Sequence, residues 1–343
     1  MDVRKLRHVP PARVTIRQVA ELAGVSIATV SRVVNGHHDV SGETRESVQR
    51  VLRERGYPTS ARPRSAPTGL VGVTMPVVHP GYFAEILSGA AEALYEHDMR
   101  VVLCPTRHSH AREMSLLDRL AGGETDGAIV VLPEESSAEL QTLASQGLRF
   151  VIVDPRTDVA EGFAVVCAAH SSGATQATRH LLELGHRRIG AIAGPAGWMA
   201  TEERLRGHHA ALAGAGVLPD PGLVQHSNFR VEGGREAALR LLARPHPPTA
   251  IFAFNDSMAI GAMQAASARG LRVPDDLSVV GFDDTTEAAI AVPALTTVRQ
   301  PLAELGRTAV SLLLRQLEDR PFEPLRVELE TRLVSRDSTA PPG

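Results

Sequence analysis

The residues near the N-terminus that could do chemistry are small polar side chains of the kind that hold phosphate groups. They stand near the expected starts and ends of two short helices: Thr15, Ser26, Thr29 and Asn35. Short hydroxyl and amide side chains there can bind phosphate oxygens together with free backbone N–H groups. The second helix would expose Ile27, Ala28 and Arg32, and a recognition helix presents side chains near its start to bases in the major groove. The pattern predicts DNA binding.

The elements that must position these side chains are three short amphipathic helices. In the first, the apolar residues follow the i, i+3, i+4, i+7 spacing of one helix face: Ile16, Val19, Ala20 and Ala23. Gly24 ends this helix, and Ser26 begins a second that runs to about residue 34 and buries Val30 and Val33. Ser41 begins a third helix with an apolar face, formed by Val48, Val51 and Leu52. We predict a helix-turn-helix domain over residues 14–57, preceded by a flexible basic arm over residues 1–13.

The charge distribution supports this prediction. The whole chain of 343 residues carries a formal net charge of −3. Residues 1–66 nevertheless contain 12 basic and 6 acidic residues, whereas residues 67–343 contain 24 basic and 33 acidic residues. A positive charge concentrated on a short module is typical of proteins that bind polyanions.

The remainder of the chain predicts an α/β fold. Residues 59–68 read TSARPRSAPT and indicate a hinge linker over residues 58–68. Short apolar runs then alternate with helical patterns, which is typical of parallel sheets. The runs form two series, over residues 70–76, 101–106, 127–132 and 150–154 and then over residues 188–194, 249–254 and 278–283. We therefore predict two doubly wound parallel-sheet lobes over residues 69–336, followed by a flexible tail over residues 337–343.

The apolar stretches and the two cysteines predict the compartment of the protein and the redox state of its thiols. No stretch approaches 18 consecutive apolar residues, and the N-terminus has no secretory apolar region, so we expect a cytoplasmic protein. The two cysteines, Cys104 and Cys167, lie in apolar runs that read as strands. We expect buried free thiols rather than a disulfide or a zinc site.

Enzyme classes receive little support. The single lysine, Lys5, lies in the N-terminal arm, so the chain has no P-loop lysine, and no nucleotide, zinc-protease or nucleophile-elbow motif is found. The histidine pairs, such as His208-His209, lack the spacing of metal ligands, and solvated side chains are the simpler interpretation. We predict no enzymatic activity, no metal and no cofactor.

Several motifs in a fixed order resemble the lactose/galactose repressor (LacI/GalR) family of transcriptional regulators. The first is VTIRQVAELAGVSIATVSRVVNG over residues 14–36, and the others are VSGETRESVQRVLRERGY at 40–57, RLRG at 204–207, FNDSMAIGAM at 254–263, VPDDLSVVGFDD at 273–284 and LTTVRQP at 295–301. The resemblance covers nearly all of residues 14–336. It implies a homodimeric repressor that binds a near-palindromic operator, with a sensor like the periplasmic sugar-binding proteins and an effector held between its lobes.

The resemblance also implies roles for individual residues. Arg204 matches a ligand-anchoring arginine, Asn255 matches an amide in the cleft, and Asp283 matches a carboxylate that accepts hydrogen bonds from adjacent hydroxyls. The remaining candidates for effector binding are Tyr82, Phe83, Trp198, Phe229 and Gln300. The remaining candidates for DNA binding are Ser41, Tyr57, Arg62 and Arg64. Trp198, the only tryptophan, is either a core residue or a stacking surface for a sugar ring.

Departures from the family pattern leave the effector open. Pro80-Gly81 stands where the family has Asn-Pro, and Ala169-His170 stands where it has Asp-Asn. We predict a small carbohydrate effector, a sugar or an oligosaccharide, with a purine or another metabolite as the alternative. A periplasmic sugar-binding protein would need a signal peptide and would not explain residues 14–57, and a sugar-modifying enzyme would need a catalytic pair that is not found.

The hinge linker is the segment that departs most clearly from the family pattern. Family members insert a leucine from this segment into the minor groove and kink the DNA. Here Ala66 occupies that position and Pro63 interrupts the helical pattern. An alanine methyl group is a poor wedge, although Arg62 and Arg64 can still enter a narrow minor groove. We therefore expect weak bending of the operator.

Overall fold

The computed structural model describes residues 16–34, 40–55, 67–77, 81–318 and 323–343. The chain divides between residues 66 and 67 into a small N-terminal unit and a large second unit. Several predicted DNA contacts lie outside the described residues, as do the basic arm and the hinge residues Pro63 and Ala66: they are Thr15, Asn35, Tyr57, Arg62 and Arg64.

The N-terminal unit contains the three predicted helices, which are α1 (Ile16–Ala23), α2 (Ile27–Val34) and α3 (Gly42–Glu54). The residues buried between them are Val19, Ala20, Val30, Val33, Val48, Val51 and Leu52. Two of the predicted helix caps, Ser26 and Ser41, are confirmed: the Ser26 hydroxyl accepts from the Thr29 N–H at 3.0 Å, and the Ser41 hydroxyl accepts from the Thr44 N–H at 3.4 Å. Gly24, with φ of 65°, turns the chain between α1 and α2.

The first lobe of the large unit is a parallel six-stranded sheet with strand order β11-β5-β4-β3-β1-β2. Its strands are β1 (Leu70–Met75), β2 (Arg100–Pro105), β3 (Gly127–Val131), β4 (Phe150–Val153), β5 (Ala164–Ala168) and β11 (Arg326–Leu329). Its helices are α4 (Tyr82–Tyr95), α5 (His110–Arg119), α6 (Ser137–Ser145) and α12 (Leu302–Leu317), with a π-helical turn at Leu120–Glu124. Apolar clusters cover both faces of the sheet, as a parallel sheet requires.

The second lobe is a parallel four-stranded sheet with strand order β7-β6-β8-β9. Its strands are β6 (Ile189–Ala193), β7 (Val224–His226), β8 (Ala250–Ala253) and β9 (Ser278–Val280). Its helices are α7 (His170–Glu183), α8 (Met199–Gly214), α9 (Val231–Leu242), α10 (Asp256–Ala268) and α11 (Thr286–Ile290), with a 3-10 turn at Pro221–Leu223. A separate antiparallel pair joins β10 (Thr297–Arg299) to β12 (Arg332–Val334).

Helices α7 and α8 pack with their backbones in close contact. A Cβ atom on Gly207 of α8 would lie 2.1 Å from the carbonyl oxygen of Ser171 in α7, so only glycine fits here. This close approach brings Arg204, on α8, next to His170, the first residue of α7.

The C-terminal segment corrects one prediction. Residues 337–343 were expected to form a flexible tail, but the segment packs along β9, the edge strand of the second lobe. The Val279 N–H donates to the Ser338 carbonyl at 2.8 Å, and the buried Ser338 hydroxyl donates to the Val279 carbonyl at 2.6 Å. Backbone groups at a sheet edge need partners, and this segment supplies them.

The cysteine prediction is confirmed, since Cys104 and Cys167 are both buried free thiols.

One histidine prediction is wrong. His208 is buried rather than solvated, its Nδ1 lies 2.9 Å from the Thr178 hydroxyl, and burial lowers its pKa to about 3. Within the described ranges, no helix is long and apolar enough to cross a membrane, and no three His, Cys, Asp or Glu side chains are placed to hold a metal ion together.

Candidate functional site

The candidate DNA-reading surface is the outer face of α2. Ile27 is 51% exposed, and Ala28 and Arg32 are also exposed, whereas Val30 and Val33 of the same helix lie in the core. The first turn therefore offers apolar surface for thymine methyl groups, and Arg32 offers a fork of donors for guanine. Ser26 and Thr29 form a hydroxyl pair 2.9 Å apart at the start of the helix, where phosphate oxygens are readily held.

The candidate effector site lies between the two lobes of the large unit. A chain of polar contacts begins in the first lobe with the Tyr82 hydroxyl, which donates to Asp154 Oδ2 at 2.5 Å. Asp154 Oδ1 lies 3.3 Å from His170 Nε2, and His170 Nδ1 lies 3.2 Å from an Arg204 guanidinium nitrogen. Because arginine can only donate, His170 Nδ1 accepts this hydrogen bond and its ring proton stands on Nε2, facing Asp154.

Arg204 is the centre of this chain. Its guanidinium donates to the carbonyl oxygen of Phe254 and lies 3.9 Å from the centroid of the Phe282 ring. Asp283 Oδ1 is 4.0 Å from the guanidinium, and both side chains are at most 8% exposed. Pairing with a carboxylate and an aromatic face is the arrangement in which a buried guanidinium keeps its charge.

Asp283 lies three residues past the end of β9 in a left-handed backbone conformation, with φ of 123°. Its Oδ1 accepts a hydrogen bond of 2.6 Å from Gln300 Nε2. Burial raises the pKa of the Asp283 carboxyl to about 7, although Arg204 and the bond from Gln300 act in the opposite direction. Asp154 differs, because His170 and the Tyr82 hydroxyl outweigh burial and hold the pKa of its carboxyl below the usual value.

Some atoms of this network have no hydrogen-bond partner among the described residues. They are the Arg204 Nε and Gln300 Oε1 atoms, and both are buried. Buried polar atoms without partners are rare because they cost free energy. They can act as donors and acceptors toward the hydroxyl groups of a ligand.

Aromatic residues flank the network. The Trp198 and Phe229 rings lie 5.7 Å apart, and the Phe229 carbonyl accepts a hydrogen bond of 3.1 Å from the Asn255 amide. The Asn255 side-chain oxygen caps α10 by accepting from the Met258 N–H at 2.9 Å, so both ends of this amide have protein partners. Phe83 packs edge-on against Tyr82, at 5.1 Å, and against the core of the first lobe.

The structure thus brings Tyr82, Arg204, Asp283 and Gln300 into one network. Two central residues were not among the predicted site residues. Asp154 directly follows the apolar run 150–153, and a polar residue at the carboxyl end of a parallel strand is a signal that sequence reasoning could have used. His170 was noted only as a departure from the family pattern, and its contact with Arg204 depends on how α7 and α8 pack.

Known proteins match the chain over both units. Residues 15–60 match the family described as bacterial regulatory proteins, lacI family, and residues 178–339 match the periplasmic binding protein-like domain. The chain is 37% identical over 335 residues to the HTH-type transcriptional regulator CelR of Thermobifida fusca, covering 95% of this chain and 98% of that relative. It is 34% identical over 330 residues to the HTH-type transcriptional repressor PurR of Edwardsiella ictaluri (strain 93-146), covering 95% and 97%.

Solved structures show the same likeness. A complex of the transcriptional regulator CelR with cellobiose has a TM-score of 0.75 and 36% sequence identity, covering 95% of this chain and 100% of that chain. The lac repressor dimer bound to operator and the anti-inducer ONPF has a TM-score of 0.72 and 28% identity, covering 96% and 100%.

Proposed function

The chain belongs to the lacI family of bacterial regulatory proteins, and on that premise we propose that it represses transcription under the control of a carbohydrate bound between its two sensor lobes. The observation that carries the proposal is the buried network from Tyr82 to Gln300, which draws its side chains from both lobes.

The chemistry of this network suits a neutral ligand with many hydroxyl groups. Two carboxylates, Asp154 and Asp283, accept hydrogen bonds, and Arg204 donates them. The positive charge of Arg204 is already paired with Asp283 at 4.0 Å, so the site does not call for a negatively charged ligand. Trp198 and Phe229 add apolar surface of the kind that packs against the C–H face of a sugar ring. The CelR relative of similar fold was solved with cellobiose, a sugar of this class.

Control of DNA binding follows from the position of the network. A ligand that hydrogen-bonds to groups of both lobes favours one arrangement of the lobes over another. If that arrangement weakens operator binding, the operator must weaken effector binding by the same factor. We propose that the chain acts as a cytoplasmic homodimer on a near-palindromic operator, with residues 14–57 reading each half-site and residues 58–68 serving as the hinge.

A purine or related metabolite is the second candidate effector, because the chain is also 34% identical to HTH-type transcriptional repressors named PurR. An effector of this kind would act as a corepressor and tighten operator binding. The two candidates therefore predict different classes of ligand.

A carbohydrate effector is expected to raise the melting temperature of the protein, because it binds the folded state alone. At a concentration one hundred times its Kd, a ligand adds about 2.7 kcal/mol to the free energy of unfolding. Differential scanning fluorimetry with monosaccharides, disaccharides and purines measures this shift. Stabilisation by purines but by no sugar would reject the carbohydrate proposal and favour the corepressor.

The hinge gives a second expected result, which rests on the sequence because residues 56–66 lie outside the described residues. Replacing Ala66 by leucine should increase operator bending and tighten binding, since a leucine can insert between base steps where an alanine methyl group cannot. Circular-permutation gel shifts measure the bend angle. A wild-type protein that already bends its operator as sharply as the Ala66→Leu variant would show that another residue supplies the wedge.

A further inference from the structure

Arg156 joins the two lobes at a point beside the network. It lies two residues beyond Asp154 on the segment that follows β4 of the first lobe. Its carbonyl oxygen accepts a hydrogen bond of 2.6 Å from the Met199 N–H at the start of α8 in the second lobe. Its guanidinium carbon lies 4.6 Å from the centroid of the Trp198 ring.

The guanidinium of Arg156 is oriented but incompletely bonded. Glu134 Oε1 accepts from its Nη1 at 2.6 Å, and the two side chains are only 12% and 17% exposed. The remaining donors, Nε and Nη2, are buried and have no hydrogen-bond partner among the residues that the structure describes. An arginine that is fixed by one carboxylate and has two donor nitrogens without a partner can bind the hydroxyl groups of a ligand.

This group is continuous with the network around Arg204. The Trp198 ring packs against the Phe229 ring, and the Phe229 carbonyl accepts a hydrogen bond from the Asn255 side chain. Arg156 and the network residue Asp154 lie two residues apart on the same segment after β4. Trp198 is only partly buried, so part of the indole remains accessible beside the guanidinium. An apolar ring surface next to free donors is what a sugar ring needs, because its C–H face packs on the ring and its hydroxyls point sideways.

We propose that Arg156, oriented by Glu134, forms with Trp198 a second sugar subsite, so that the effector is an oligosaccharide of at least two units. This inference rests on the proposed carbohydrate function. Because Glu134 already neutralises Arg156, the subsite recognises uncharged hydroxyl groups rather than a sugar phosphate.

The test compares matched monosaccharides and disaccharides by isothermal titration calorimetry, with glucose against cellobiose and maltose, and galactose against lactose. The full-length wild-type protein should bind one disaccharide at least about tenfold more tightly than its monosaccharide. Arg156→Ala should remove most of that preference while leaving the monosaccharide affinity within about twofold. Arg156→Lys should behave like Arg156→Ala, because lysine keeps the charge and loses the fork of donors.

Arg326→Ala is the matched control, because Arg326 also reaches from the first lobe to α8, where its Nη2 lies 3.2 Å from the Met199 sulfur. This variant loses a contact between the lobes and keeps the subsite, so its disaccharide preference should be unchanged. Equal losses for both sugars in Arg156→Ala, or the same loss in Arg326→Ala, would overturn the subsite and leave the carbohydrate function standing. Binding of none of these sugars to the wild type would overturn both.

Discussion

Replacing Arg32 by alanine is expected to abolish sequence-specific operator binding and to leave the fold and effector binding unchanged. Arg32 is exposed on α2, whose core contacts are made by Val30 and Val33, so the truncation removes no core packing. A bidentate contact between arginine and a base edge contributes about 1–3 kcal/mol of discrimination. A dimer would lose this contact in both half-sites. Fluorescence anisotropy with the operator and with a scrambled duplex measures the ratio of specific to non-specific affinity.

The control is Arg50→Ala, which removes the same charge from an exposed position on α3. We expect it to weaken both duplexes by a similar, smaller factor, because a lost phosphate contact carries no sequence information. Exchanging Ile27 or Ala28 should instead change which bases are preferred, as selection from a randomised operator library would reveal. An Arg32→Ala variant that keeps its operator preference, or that loses effector binding, would contradict the modular reading of the chain.

Replacing Arg204 by alanine is expected to produce a repressor that still binds its operator and no longer responds to effector. Arg204 contacts His170, Asp283 and the Phe282 ring, so its loss breaks the network in the middle. Each hydroxyl left without its partner in the site costs on the order of 1–3 kcal/mol, and more where the partner is charged. Isothermal titration calorimetry with the effector, and operator binding with and without it, measure the two parts of this result.

Two further variants separate recognition from stability. Arg206→Ala is the matched control, because Arg206 lies two residues along the same helix, is 66% exposed and pairs with Glu203 at 2.6 Å. It should bind effector as the wild type does. Asp283→Asn nearly keeps the volume of the side chain and removes its charge, so it should fold and still lose most effector affinity. Wild-type affinity in both Arg204→Ala and Asp283→Asn would place the effector elsewhere.

The strands of the fold could be predicted from the sequence where every residue of the strand is buried. Strands such as β3 and β8 are buried along their whole length, so they appear in the sequence as unbroken apolar runs. The strands β10 and β12 have three residues each, and such short elements leave no periodic pattern. The docking of residues 337–343 along β9 depends on backbone hydrogen bonds and on the hydroxyl of Ser338, and a single serine leaves no pattern in the sequence.

The site could be predicted only in part, for a related reason. Arg204 and Asp283 belong to motifs that resemble a known family, so their types and positions were informative together. The role of His170 depends on the close packing of α7 against α8, which Gly207 permits. The free donors of Arg156 become visible only once Glu134 and Trp198 are placed around it.

The network residues stand at the ends of elements rather than inside them. Asp154 follows β4, Asp283 lies three residues past the end of β9, and His170 opens α7. The strands that lead to them are buried and carry the stability of the lobes, whereas these three side chains contact other residues of the network, chiefly Tyr82, Arg204 and Gln300. A substitution at such a position alters recognition without disturbing a sheet. Regulators built in this way can diverge toward new effectors by a few exchanges at the ends of elements, and the Ala169-His170 pair is a change of this kind at two positions.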